Sequence, residues 1–207
     1  MPTEIVTIDP AHPETAFARC REVIRSGGVV AYPTDTFYGL GVDPGNPAAV
    51  RKLFLLKARP DDQPILILIS DQAAVRAWAV DISTQAEDLM KRFWPGPLTL
   101  VFKAQQEVLP ELTAGSGRIG LRVPGNETTR QLLAFLGTAL TGTSANRSGG
   151  QSARTAAEAA EEFGDSIDLV LDSGSAAATM PSTVVDVTGT TLKVIREGAV
   201  PSREIIK

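Results

Sequence analysis

GGVVAYPTDTFYGLG, residues 27–41, sets how the rest of the chain is read. Two glycines close a helical pattern, and "VVAY" reads as a short buried strand. The chain then turns into a glycine-ended loop that carries Thr34, Asp35, Thr36 and Tyr38. An ordinary connection needs turn formers. Three hydroxyls and an acid at a strand end read either as a self-capping Pro-Thr-Asp turn or as one wall of a polar site.

Working outward, "PETAFARCREVIRSGG" (13–28) places Ala16, Cys20, Val23 and Ile24 at helical spacing. "NPAAVRKLFLLKAR" (46–59) is a helix with Pro47 at its first position. "PILILIS" (64–70) is continuously apolar and is expected as a central strand. Helices are expected over "DQAAVRAWA" (71–79) and "STQAEDLMKRFW" (83–94), the second capped by Ser83. A strand "PGPLTLVFK" (95–103), a loop "EVLPELTAGSG" (107–117) and a strand "RIGLRVP" (118–124) follow. Then come a helix (126–137), a strand running into the polar loop "TSANRSGG" (143–150) and an Ala-rich helix (153–164). Three strands, "IDLVLD", "STVVDV" and "LKVIRE", come last. Helices and strands alternate early and strands dominate late. The expected class is α/β: a twisted, mixed and largely antiparallel open sheet with flanking helices. No repeat or linker breaks the chain, so one domain over 1–207 is expected.

Composition narrows the chemistry. A net charge of −4 argues against sequence-blind nucleic-acid binding, which needs surplus Lys and Arg. One cysteine, Cys20, forms no internal disulfide and suits a reducing cytoplasm. The opening "MPTEIVTIDP" has no basic start or apolar stretch, so no signal peptide is expected. The longest aliphatic run, 65–69, is far shorter than a membrane span. His12 is the only histidine, so a His-based triad or a zinc site lacks partners. Chemistry must rest on positioning and electrostatics.

"GSGRIG" (115–120) fits G-x-G-x-x-G, but a loop precedes it and a strand follows, so it is no dinucleotide fingerprint. Lys57 and Arg59 in "KARPDDQP" end a helix. They read as dipole compensation or as a phosphate clamp. Arg118 and Arg122 lie on one strand face because their spacing is even. Ser144, Asn146 and Ser148 lie just past the next strand and are followed by two glycines, which suits an anion. Ser182 opens a strand and Arg196 closes one.

Together "YPTDTFYGLG", "KARP", "WPGPLTLVF", "GLRVP", "TSANRSG", "PSTVVD" and "IREGAV" resemble the YrdC/Sua5 family, the L-threonylcarbamoyladenylate synthases, over roughly residues 14–200. The resemblance implies a YrdC-like sheet with a concave, positively charged cleft. It implies that threonine, bicarbonate and ATP, with Mg²⁺, give threonylcarbamoyl-AMP and pyrophosphate. A partner complex would then modify adenosine 37 of ANN-decoding tRNAs; weak direct tRNA contact is part of this expectation and membrane contact is not. The resemblance puts threonine on Thr36, Arg122 and Ser182, and makes Lys57 and Arg59 the catalytic basic pair. It puts the nucleotide on Arg59, Gln63, Ser144, Asn146, Ser152 and Arg196. No metal ligand is assigned; Asp35 is the candidate. The chain departs from the family pattern at Gln63 (often Lys), Leu68 (histidine in some members) and Arg118 (often Thr). It resembles the short form, without the longer form's C-terminal domain. The alternative is an RNA-binding module of the same fold that makes no adenylate.

Overall fold

The computed structural model describes residues 3–60, 62–176 and 180–206. In chain order the elements are β1 (Glu4–Thr7), α1 (Glu14–Arg25), β2 (Val30–Tyr32), β3 (Gly39–Gly41), α2 (Pro47–Lys57), β4 (Leu66–Leu68) and β5 (Ala79–Val80). Next are α3 (Thr84–Phe93), β6 (Leu98–Ala104), α4 (Pro110–Thr113), β7 (Arg118–Arg122), α5 (Glu127–Leu136) and β8 (Leu140–Ser144). The last are α6 (Ala156–Phe163), β9 (Leu169–Asp172), β10 (Thr183–Asp186), β11 (Lys193–Arg196) and α7 (Ser202–Ile205).

Local chemistry sets most helix ends. Asn46 accepts from the backbone amides of Ala48 and Ala49, and Pro47 opens α2. Ser83, Asn126 and Thr155 cap α3, α5 and α6 in the same way. Gly137 ends α5 in the left-handed region, at φ 67°.

The strands form one mixed sheet in the order β1-β9-β2-β3-β8-β4-β7-β6-β10-β11, with β5 added to β6. Four neighbouring pairs are parallel (β1/β9, β9/β2, β4/β7, β6/β10) and the others along this order are antiparallel. Strand alternation divides the core. Val30, Tyr32, Leu169 and Leu171 pack under Phe17, Cys20 and Ile24 of α1 and Leu132 and Leu133 of α5. Val29, Ala31, Leu40 and Val170 face the other way, toward Val50 and Leu53 of α2 and Phe163 of α6. In the second half of the sheet, Ile67, Leu98, Leu100, Ile119, Leu121 and Val185 join that same core, together with Leu89 and Met90 of α3. The opposite side of β4, β6, β7 and β10 forms the floor of a concavity.

The mixed α/β sheet with flanking helices is as the sequence indicates. The apolar run 64–70 narrows to β4 but lies between β8 and β7, a central place. Strands β1 and β5 are not foreseen from the sequence, and three further segments differ. Residues 71–79 form a 3-10 helix, Gln72–Ala77, rather than an α-helix. The loop 107–117 contains the short helix α4. The glycine end of the opening loop is strand β3, paired to β2 and β8. "GLG" carries no apolar periodicity, so pattern reading misses it. Its glycines are there to pass Tyr32: a Cβ on Gly41 would lie 2.6 Å from Tyr32 Cε1, and one on Gly39 3.2 Å from Tyr32 Cζ. The Tyr32 hydroxyl donates to the Thr141 carbonyl at 2.7 Å, so the ring has no room to retreat. Gly41→Ala is therefore expected to cost about 1–3 kcal/mol by overpacking. Urea denaturation checks this, and an unchanged midpoint would show that Tyr32 does not press on β3.

Candidate active site

The concavity is a cavity of about 710 Å³. Leu66, Leu68, Thr99, Val101, Gly120 and Val184 give it an apolar floor. Arg59, Arg118, Arg122 and Arg196 stand around that floor, and Asp186 is the only carboxylate among the lining residues. A chain of net charge −4 has thus gathered four guanidinium groups in one place. Burial lowers the pKa of Arg59. Burial, and then the neighbouring Arg122, lower that of Arg196. Such a cavity favours an anion.

At one end Arg122, buried at the close of β7, donates from Nε to the Gly96 carbonyl (3.0 Å) and from Nη1 to Thr36 Oγ1 (3.3 Å). Its Nη2 is in ion contact with Asp35 Oδ1. Thr36 is itself fixed. Its Oγ1 shares a 3.0 Å hydrogen bond with Thr34 Oγ1, and its backbone amide donates to that same atom at 3.1 Å. The loop of residues 33–38 is thus both self-capped and functional in placement, because it forms the frame around one arginine. Opposite, Ser182 Oγ bonds Thr99 Oγ1 (2.9 Å), and Arg196 Nη2 donates to Ser182 Oγ (3.1 Å) and to its carbonyl (2.8 Å).

At the other end Arg59 donates from Nε to the Gln63 carbonyl (3.1 Å) and from Nη2 to the Pro64 carbonyl (2.8 Å). Ser144 and Ser152 complete that wall. Lys57 lies behind it, 2% exposed, with Nζ donating to the carbonyls of Ser144 (2.5 Å) and Asn146 (2.6 Å). Asn146 also lies behind the wall. Its Nδ2 donates to the carbonyls of Arg147 (2.7 Å) and Gly150 (2.9 Å), and its Oδ1 accepts from Ser144 Oγ.

Of the residues expected from sequence, Thr36, Arg59, Arg122, Ser144, Ser152, Ser182 and Arg196 line the one cavity. Lys57 and Asn146 hold the Ser144–Gly150 turn from beneath. Gln63 is exposed and supplies only its backbone carbonyl. Asp35 Oδ1 is in ion contact with Arg122. Arg118 and its partner Asp186 also line the cavity; the even spacing from Arg122 was the available signal. Among the described residues no group of three or more His, Cys, Asp or Glu could hold a metal ion.

A family model described as Sua5/YciO/YrdC, telomere recombination, matches residues 22–198, a span that takes in every lining residue. The chain belongs to the Sua5/YciO/YrdC family. A family member from Pyrococcus abyssi named threonylcarbamoyl-AMP synthase is 38% identical over 184 residues, 89% of this chain. The chain spans only 54% of that relative's length. A threonylcarbamoyl-AMP synthase from Idiomarina loihiensis is 40% identical over 77% of this chain and 87% of its own. The solved Pyrococcus abyssi Sua5 complexed with L-threonine superposes at TM-score 0.94 and 35% identity, over 98% of this chain and 60% of that one.

Within this Sua5/YciO/YrdC site, Lys57 acts on the backbone. Burial, and then Arg59, push its pKa from 10.5 down to about 8. Lys57→Met strips two buried carbonyls of their donor and is expected to cost about 2–4 kcal/mol. Between pH 8 and 10.5 the unfolded chain holds a proton that the folded chain has released, so wild-type stability relative to the variant rises with pH across that window. Paired denaturation curves at pH 7 and pH 10 check both statements; a gap that narrows with pH would contradict the second.

Proposed function

We propose that this cavity makes threonylcarbamoyl-AMP and pyrophosphate from L-threonine, bicarbonate and ATP. The supporting observation is that one cavity holds a framed arginine at one end and an arginine with a serine-lined turn at the other, across an apolar floor. The identity to relatives bearing that activity as their name supports the same reading.

Arg122, held by the Gly96 carbonyl and Asp35, would present its Nη1 edge and the Thr36 hydroxyl to the threonine carboxylate. Arginine suits a carboxylate because its fork can bind both oxygens. Ser182, fixed by Thr99 and Arg196, would close that end. The threonine amine attacks bicarbonate, or its activated form, and water leaves as a carbamate forms. A carbamate oxygen then bonds to the α-phosphorus as the bond to pyrophosphate breaks. No covalent enzyme intermediate is needed. Holding the reactants in register can supply about 7–11 kcal/mol of the barrier in favourable cases. Arg59 and Arg196 would offset negative charge on the phosphates. Mg²⁺ would arrive on the ATP phosphates as part of the substrate, which matches the way this ion usually binds. The product would pass to a partner complex that modifies adenosine 37 of ANN-decoding tRNAs in the cytoplasm, with at most weak tRNA contact by this chain. Among the described residues no helix is long and apolar enough to cross a membrane.

Purified protein is expected to release pyrophosphate only when threonine, bicarbonate, Mg²⁺ and ATP are all present. Threonine-independent release would overturn the proposal. Arg122→Ala is expected to raise the KM for threonine by roughly tenfold or more, the scale of a lost charged hydrogen bond, and to leave the KM for ATP within about twofold. Equal rises for both substrates would show that Arg122 does not read the amino acid.

A further inference from the structure

We propose that Thr129 and Arg130, successive residues near the start of α5, are positioning residues that set the Asp35–Arg122 ion contact and, through it, the grip on the threonine carboxylate. This rests on the synthase reading above. Neither residue is among those that line the cavity.

The two partners of the ion contact arrive on different strands. Asp35 follows β2 and Arg122 ends β7. Both segments leave their strands through a proline: Pro33 stands two residues before Asp35, and Pro124 two residues after Arg122. In the sheet β3, β8 and β4 lie between β2 and β7, so no ladder of hydrogen bonds joins these two strands directly. α5 joins the segments instead. Thr129 Oγ1 donates to the Pro33 carbonyl at 2.6 Å. Arg130 Nη1 donates to the carbonyls of Pro124 (2.9 Å) and Gly125 (2.8 Å). Leu132 and Leu133 hold the same helix in one apolar cluster with Val30 and Tyr32 of β2. Adjacent residues of one helix thus grip the segment that carries the acid and the segment that carries the guanidinium.

The ion contact depends on that grip. Both carboxylate oxygens of Asp35 are buried, and no described residue gives them a hydrogen bond beyond the contact with Arg122. Their place is therefore set by the backbone on either side. Gly125 shows how close the fit is. A Cβ there would lie 2.8 Å from Asp35 Oδ2 and 3.1 Å from Cγ, so the carboxylate rests on bare backbone whose carbonyl Arg130 holds. Thr129 is 1% exposed, so its loss would leave the Pro33 carbonyl without a donor in a buried place. The helix itself does not need the hydroxyl. Asn126 Oδ1 caps α5 by accepting from the Thr129 backbone amide at 3.0 Å. Thr129→Val, close in shape, therefore removes the donor to Pro33 and keeps the cap.

Calorimetric titration with threonine and with ATP tests this on wild type, Thr129→Val, Thr129→Ser, Arg130→Met and Ser83→Ala. Thr129→Val is expected to lose roughly three- to tenfold in threonine affinity, with ATP within about twofold. Thr129→Ser restores the hydroxyl and is expected to stay within about twofold of wild type for both ligands. Arg130→Met is expected to show the same selective loss as Thr129→Val, and it supplies the reading if Thr129→Val proves misfolded by circular dichroism. Ser83→Ala removes the cap of α3, which holds neither segment; it is expected to lower the urea midpoint and leave both affinities unchanged. Unchanged threonine affinity in either folded variant, an equal loss for ATP, a Thr129→Ser loss as large as that of Thr129→Val, or a matching loss in Ser83→Ala would overturn the proposal and leave the synthase reading standing. A wild-type protein that binds neither ATP nor threonine would overturn the synthase reading and this proposal with it.

Discussion

Four like charges held in one cavity are the constraint around which the rest of the molecule is arranged. Each guanidinium is fixed by acceptors. For three of them backbone carbonyls do this work: Gly96 for Arg122, Gln63 and Pro64 for Arg59, and Ser182 for Arg196. A carbonyl orients a cation without cancelling its charge. Carboxylates are used sparingly, Asp35 at Arg122 and Asp186 at Arg118. Four guanidiniums against these two carboxylates leave two positive charges unbalanced. A bound anion is the natural counterpart, and its attraction to charges set among protein atoms is stronger than it would be in bulk water.

The fold makes such an arrangement possible by leaving part of one sheet face without a helix. β4, β6, β7 and β10 bury one side in the core and turn the other into the floor of the cavity. Strand alternation then decides which side chains point inward, so Arg118, Gly120 and Arg122 do so together. The loop between β2 and β3 contributes a hydroxyl chain, Thr34 to Thr36 to Arg122. A side chain held by several short contacts needs little reorganisation when a ligand arrives, and this pre-organisation is the main resource of a site without histidine or covalent nucleophile.

The legible parts of the sequence were those where polar chemistry interrupts a strong pattern. Arg122 follows an apolar strand, Ser144 follows another, and Arg196 ends a third, so their placement at strand ends was readable before any coordinates. The α-helix caps at Asn46, Ser83 and Asn126 were similarly plain. β3 was hidden because a strand of two glycines and one leucine has no periodicity, and its reason for being lies in Tyr32, on the neighbouring strand. β1 was missed because it is a four-residue, largely exposed edge strand whose pairing with β9 joins residues far apart in sequence. Lys57 at a helix end looked like a surface charge or a phosphate ligand. Only the tertiary fold brings the Ser144 and Asn146 carbonyls around its ammonium group. Gln63 was placed by resemblance on the nucleotide; its side chain is exposed and its backbone carbonyl accepts from Arg59.

The most direct measurement is a crystal structure of the protein grown with threonine, bicarbonate and a non-hydrolysable ATP analogue. The account requires both ligands in the one cavity, with the amino-acid carboxylate on Arg122 and Thr36 and the triphosphate running toward Arg59. Ligands on separate surfaces, or a nucleotide outside the four arginines, would contradict it.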